Sequence, residues 1–462
     1  MTQLMEPQTS DLSNLKRLQK QDAIGGGAPA WLADLRRSGM ARFDKVGFPT
    51  TKQEEWRFTN VAPIARTNFR LATPEDDHGA RDVIEQHTFG DEAIAELVFV
   101  NGHYRSDLST PGDLSGGVQL LSLAEAVDLH EEVVRSHLGR YVEINNNPFV
   151  ALNTGFLRDG VVLHVGRNVT AEGPIHLLFI NTGASEDVAP IVSHPRILVV
   201  AECNSDVTLV ESFVGTPGLH WCNPVTEVYA APEARIDHYR LQHDTEDAFH
   251  VSTLQVKLER DSQFVSHTAT IGGRITRNDH NVCLAGQAAT ATLNGLVLIG
   301  GNDHCDNHTL LDHAAPNCPS HELFKHVLDG KSTAIFKGKI LVRNAAQKTD
   351  SKQQSKSLLL SDNAMMESMP ALEIYADDVK CTHGSTTGPV DEEQVFYLRS
   401  RGVSLAAARH LMTYAFAADV TRRIKVTPVR ERLESYMAAQ HGLPQDLRIT
   451  DLGEHDEGVL NM

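Results

Sequence analysis

Cysteine is scarce and unpatterned in this chain. Six thiols, at 203, 222, 283, 305, 318 and 381, are scattered through 462 residues without one Cys-x-x-Cys pair. That spacing excludes a disulfide framework and points to reduced thiols in a cytoplasmic compartment. Basic residues are also in deficit: 42 Lys and Arg against 60 Asp and Glu leave a formal charge of −18. They form no block longer than pairs such as Arg36-Arg37 and Arg422-Arg423. A grip on a phosphate backbone needs clustered cations, so no nucleic-acid partner is expected. Long apolar runs are missing too: no window approaches the ~18 residues of a spanning helix. The opening MTQLMEPQTSDLSNLKRLQK is polar and lacks the apolar segment of a secretory signal. The expectation is a soluble, cytoplasmic, acidic protein with no membrane contact.

Catalytic signatures are absent as well. There is no GxSxG elbow, no HExxH, and no GxGxxG with a supporting strand and helix. The stretch DGKST (329–333) resembles the end of a phosphate loop, but Lys325 stands where that loop needs its first glycine. An enzyme with a standard nucleophile or cofactor fingerprint is therefore not expected.

What is present falls into three zones, within the two to three domains that this length allows. Residues 1–158 read as an N-terminal helical region with a short strand segment. The first ~25 residues are polar, as mobile termini are. An amphipathic helix then carries Trp31, Leu32, Leu35 and Met40, and DEAIAELVFVNG reads as a strand. A second helical stretch, SLAEAVDLHEEVVRSHL, carries Leu123, Val127, Val133 and Leu138.

From 159 to 390 the helical period disappears and short alternating segments recur. SDVTLVESF, ARIDHYRLQ, SQFVSHTAT, ATATLNGLV and STAIFKGKI start 29, 28, 27 and 43 residues apart. A recurring interval of this size marks stacked repeats, each burying its face only against its neighbours. No crossover helices are visible, so a right-handed parallel β-helix fits. A β-sandwich is the alternative, but it would want hairpin turns, and Asn101-Gly102 and Asn294-Gly295 are the clearest Asn-Gly pairs. Residues 391–462 return to helix. DEEQVFYLRSRG opens with acids, breaks at Gly402, and restarts after Ser404 as N-cap. Leu405, Ala408, Met412, Ala415 and Phe416 then fall at helical spacing on one face.

Two groups of residues could carry chemistry. Residues 304–326 hold His304, Cys305, His308, His313, Cys318, His321 and His326, donors that suit zinc or iron. The spacing matches no finger, and such side chains can equally bond between neighbouring turns of a solenoid. The second group is KCTHGSTTG, from Lys380 to Gly388. Alternation sets Val379, Cys381 and His383 on one face of a strand and Asp378, Lys380 and Thr382 on the other. Two positions apart, their Cα atoms lie roughly 6.6 Å from each other, too far to share one metal unless the side chains lean together. The competing reading is a small buried thiol beside a satisfied strand-end histidine.

The run MPALEIYADDVKCTHGSTTGPVDEEQVFYLRSRGVS, continuing through ARHLMTYAFAADV, resembles the C-terminal signature of the SufB/SufD family of the SUF iron–sulfur cluster assembly machinery. KQEEWRFTNVAPI (52–64) is similar to its N-terminal signature, and FKGKILVRNAAQKTDSKQQSKSLLLSDNAMMES to its last β-helix turns. The resemblance covers most of the chain. SufB carries a cysteine shortly before its last strand; LLLSDNAMMESMP has none, and Asn363 or a neighbour takes that place. His383-Gly384-Ser385-Thr386 stands where SufB reads His-Glu-Ala-Thr, so the likeness is to SufD. Lys356-Ser357 departs from an Asn-containing stretch frequent in the family.

This resemblance implies a scaffold and not an enzyme: a parallel β-helix between helical ends, pairing with SufB through the β-helix and with the SufC ATPase through the C-terminal helices. It implies that His383 acts with a SufB cysteine on a transient, nascent iron–sulfur cluster, with Cys381 as a weaker candidate. No cofactor is implied as tightly bound to the isolated chain. The SufC-docking segment it marks contains Phe396, Tyr397, Arg399, Arg401, Gly402, Tyr414 and Phe416. A β-helical metal-dependent hydrolase or lyase using the 304–326 cluster is the competing reading, and a homodimer of the isolated chain is a third.

Overall fold

The alternating segments pair with one another, each with its equivalent one repeat further on. The computed structural model describes residues 18, 29–73, 75–77, 79–114, 116–184 and 188–440, so most of the opening ~25 residues and the last stretch, 441–462, lie outside the described residues. A first sheet contains Thr170–Asn181, Asp206–Gly215, Arg235–His243, Gln263–Ile271, Thr290–Ile299, Pro319–Leu328, Asp350–Leu359 and Lys380–Pro389, all parallel. A second sheet faces it, from Gly160–Val165 through Arg196–Ala201, Val225–Ala230, Phe249–Leu258, Ile275–Leu284, His304–His313 and Thr333–Val342, ending in Met365–Ser368 and Ala371–Ile374. The result is the β-helix expected from the repeat, a parallel solenoid of about seven turns with helices at both ends of the chain.

One irregularity of the repeat has a simple cause. The segments starting at 205, 234, 262 and 289 lie in the first sheet, but the next one quoted, Thr333–Val342, lies in the second. The first-sheet strand between them is Pro319–Leu328, whose His321, Lys325 and His326 disguised its alternation.

A single corner sets the register of these turns. Asn168, Asn204, Glu233, Asp261, Ala288, Asn317 and Lys348 all have positive φ, between 56° and 67°. Each donates its N–H to a carbonyl one turn on, from Asn168 to Cys203 through to Lys348 to Asp378. A left-handed residue other than glycine costs about 1–2 kcal/mol, and here the stacked bond offsets it. The Ser205 and Ser262 hydroxyls, each one residue past the corner, close the same turn by donating to Glu202 O and Glu259 O at 2.6 Å.

The two ends of the solenoid differ. At the N-terminal end, Ala95–Val100 pairs in parallel with Thr170–Asn181, and Val118–Ser122 pairs antiparallel with Gly160–Val165, so residues before 158 supply the closing strands. SLAEAVDLHEEVVRSHL breaks at His130 into two helices, Leu123–Leu129 and Glu131–His137, the first held by a capping box of Ser122 and Glu125. The helices Ala30–Val46 and Pro148–Gly155 pack together, Met40 against Gly155, and cover the second sheet. The C-terminal helices lie on the first sheet instead, with Val426, Val429 and Leu433 over Tyr239 and Ile271. No helix among the described residues is long and apolar enough to cross a membrane.

Arg196 rivets the N-terminal region to the second sheet. Its fully buried guanidinium donates twice to Glu227, at 2.6 and 3.0 Å, and once to Asn153 at 2.9 Å. Glu227 also accepts the backbone N–H of Gly139 and Tyr141. Removing one partner strands a buried charge, so Glu227→Leu should cost about 3–5 kcal/mol, read as a lower urea midpoint; the double change Arg196→Met/Glu227→Leu should recover much of it.

Candidate functional site

The last strand, Lys380–Pro389, pairs along its whole length with Asp350–Leu359, and no other strand lies on its far side among the described residues. The register carries the core-facing side of the sheet to the end. Ser351, Gln353, Ser355 and Ser357 are all buried, and their partners are Cys381, His383, Ser385 and Thr387. These four would be core residues if one more turn followed. Instead Cys381 is half-buried against the core and His383 is exposed. Alternation therefore set the two on one face, but that face is the open end of the solenoid. Ser385 Oγ and Ser368 Oγ lie 2.8 Å apart across this end, and Met365 and Tyr375 leave apolar surface beside it, 55% and 62% exposed.

The layer beneath is polar, as are the inward His238, Arg240 and Gln242 several turns earlier. Gln353 Nε2 donates to Glu322 Oε2 at 2.7 Å. Burial pushes the Glu322 carboxyl up to about 7, opposed by hydrogen bonds from Gln353 and Thr309. Ser320 Oγ sits 2.7 Å from Ser351 Oγ and 3.0 Å from the His313 ring. The composition of DSKQQSKSLL carried this signal, since its inward positions are Ser, Gln, Ser and Ser. Gln353 and Glu322 were nevertheless missed, because the register that stacks them under His383 shows only in the folded chain.

Residues 304–326 are not brought together. His304 and His308 project outward from the second sheet, bonding Thr59 at 2.9 Å and Asp306 at 3.0 Å. His313 and His326 point into the core, where burial lowers both to about 4. His321 is exposed on the outer face of the first sheet, and Cys305 and Cys318 are buried, their thiols pushed up by burial. Among the described residues no three His, Cys, Asp or Glu side chains are grouped as a metal ion requires.

The C-terminal segment divides in two. Glu392–Ser400 is a helix capped by Asp391, and Phe396 and Tyr397 stand out from it, 73% and 55% exposed. Arg401 stacks over the Tyr397 ring at 4.4 Å, Arg399 is exposed, and Gly402 makes the break at φ 91°. Ser404 caps the next helix, Leu405–Thr421, as read from the sequence. The expected face is borne out only in the first half of that helix, where Ala408 is buried and Met412 packs beside it. Leu405 and Ala415 are exposed, while Thr413, Tyr414, Ala417 and Ala418 are buried, because the helix turns its second half onto Leu296 and Leu323 of the first sheet. Tyr414 thus faces the solenoid and not the surface. Phe416 is half-buried under Lys325, whose Nζ lies 4.5 Å above the ring and donates to the Phe416 carbonyl.

Among the described residues the solenoid has one end closed by the N-terminal strands, one open polar end and an aromatic helix beside it. The family model for the SUF system FeS cluster assembly SufBD core domain matches residues 180–416, and that for the SufBD protein N-terminal region matches 10–177. The chain belongs to the SufBD family of iron–sulfur cluster assembly proteins. It is 29% identical to an iron–sulfur cluster assembly SufBD family protein of Synechocystis, over 94% of this chain and 96% of the relative. It is 29% identical to the iron–sulfur cluster assembly protein SufD of Escherichia coli over 84% of this chain and 88% of the relative, and 26% identical to that of Bacillus subtilis over 88% and 93%.

The Cys381 thiol is raised above the ordinary cysteine value by partial burial. A raised value means less thiolate at neutral pH. Alkylation of Cys381 by iodoacetamide, followed by peptide mass spectrometry, should be slower at pH 7.5 than that of a free cysteine peptide, and the gap should close as the pH rises above 9.

Proposed function

We propose that this chain is a SufD-type subunit of a SufB–SufC–SufD scaffold, which builds and passes on iron–sulfur clusters and is not itself an enzyme. The observation that carries this reading is the last strand, whose outer edge has no strand beside it among the described residues, with His383 exposed on its core-facing side. A strand edge with free N–H and C=O groups is a template for another strand, and SufB is the partner proposed for it. The lone imidazole is half of a site; the other ligand of the nascent cluster would be a SufB cysteine, since mixed Cys and His ligation suits iron–sulfur centres. Cys381, half-buried beside it, is a lesser candidate. The cluster is cargo, held transiently. A homodimer through the same end is the alternative use of that edge when SufB is lacking, and the compartment proposed is the cytoplasm.

Phe396 and Tyr397 support SufC docking, because two adjacent exposed aromatics beside Arg399 and Arg401 are the composition of an interface anchor. ATP hydrolysis would belong to SufC, consistent with the broken phosphate loop at DGKST. The scatter of residues 304–326 over two sheets disfavours the metal-dependent hydrolase.

Co-expression with SufB and SufC, and purification through a tag on this chain, should recover both; failure to recover SufB sinks the assignment. His383→Ala should leave the complex intact and remove most of its cluster yield, read by the visible absorbance of the reconstituted complex. Phe396→Ala/Tyr397→Ala should weaken SufC binding by about 2 kcal/mol, roughly 30-fold, with SufB pairing retained. Tyr414 is unsuitable for this purpose, because changing it disturbs helix docking on the solenoid.

A further inference from the structure

The column beneath His383 has a feature that stacking of turns does not explain. Parallel pairing sets His383 beside Gln353 and Gln353 beside Glu322, in successive layers about 4.8 Å apart. Gln353 is 1% exposed and Glu322 3%. The amide of Gln353 is anchored on one side only. Its Nε2 donates to Glu322, while its Oε1 is buried without a hydrogen-bond partner among the described residues. An unmet buried acceptor costs about 1–3 kcal/mol, so this oxygen marks a place where a donor belongs. The opposite sheet makes room for the amide: a Cβ on Gly338 would lie 2.2 Å from Gln353 Nε2. The next side chain on the column, toward the open end, is the His383 imidazole. A neutral imidazole has one N–H and one lone pair, and a hydrogen bond to the first decides which nitrogen offers the second.

We propose that Gln353, held by Glu322 and seated against Gly338, is the positioning residue of His383: when the exposed ring, which does not reach it in this structure, turns toward it, its Oε1 accepts the ring N–H and leaves the other ring nitrogen directed out of the open end. Histidine ligands of metal centres are commonly fixed in this way by an acceptor behind them. The inference rests on the reading of His383 as a ligand offered to a partner-borne cluster, but its geometry can be tested without any cluster.

The test uses the full-length chain labelled with nitrogen-15 in its histidine rings, with His383→Ala to assign the signals. Long-range proton–nitrogen spectra at pH 8 report the tautomer. One tautomer should predominate at His383, and Gln353→Leu should shift it toward the mixture of a free imidazole. The exchange Glu322→Gln/Gln353→Glu keeps an acceptor beneath the ring and should restore the original tautomer. A folded Gln353→Leu protein with an unaltered His383 tautomer overturns the proposal. Should that variant fail to fold, loss of the tautomer preference in the folded exchange variant overturns it equally. Ferrous-iron titration of the purified complex with SufB and SufC separates the two readings, with Gln353→Leu expected to lower affinity about 10-fold. A changed tautomer with unchanged iron affinity keeps the positioning role and removes the ligand reading.

Discussion

The structure depends on one repeated hydrogen bond, the N–H of a left-handed corner residue to the carbonyl of the following turn. Seven such residues, from Asn168 to Lys348, lock each turn one repeat ahead of the last. With the corner fixed, every inward position of one strand falls over the inward position of the next. The core is then a set of columns, and the character of each column can change independently of the others. One column is apolar over four turns, at Val207, Ile236, Phe264 and Ala291, and then turns to Ser320 and Ser351. Another runs through His238, Ser266 and Leu293 to Glu322, Gln353 and His383.

That end is where sealing stops. The N-terminal zone contributes strands that close both sheets and a buried Arg196–Glu227 pair that holds its helices in place. Among the described residues the C-terminal helices do not cover the last strand; they fold back along the first sheet. There Arg432 donates to the carbonyls of His87 and Thr88 and stacks over Phe89 at 4.9 Å. Among the described residues, the N-terminal and C-terminal helices thus brace the flanks of the solenoid, and its last layer is surface. A polar last layer suits this, since Ser, Gln and His tolerate both water and a partner, whereas leucines there would form an aggregating edge.

Much of this was legible in the sequence. The interval of 27–29 residues between strand starts reported the turn length, and alternation within KCTHG reported that Cys381 and His383 share a face. What alternation does not contain is the number of turns. A face reads as apolar and inward whether or not another layer follows, so the exposure of His383 waited for the structure. Gln353 was hidden for a related reason: its neighbours in space are some thirty residues away, and polarity inside a strand looks like polarity outside it. The helix Leu405–Thr421 misled differently. Its small residues fit several faces, and the choice fell to Leu296 and Leu323, which the periodicity of the helix does not mention.

The corner has a further consequence, for how such a chain can change length over evolutionary time. A residue inserted within a strand would invert every inward and outward position after it, and one inserted at the left-handed corner would break the bond to the next turn. Viable growth is confined to whole turns or to the looser connections elsewhere around each turn. A lineage could therefore lengthen or shorten this solenoid in steps of roughly thirty residues while the last layer, with His383 upon it, moved intact to the new end.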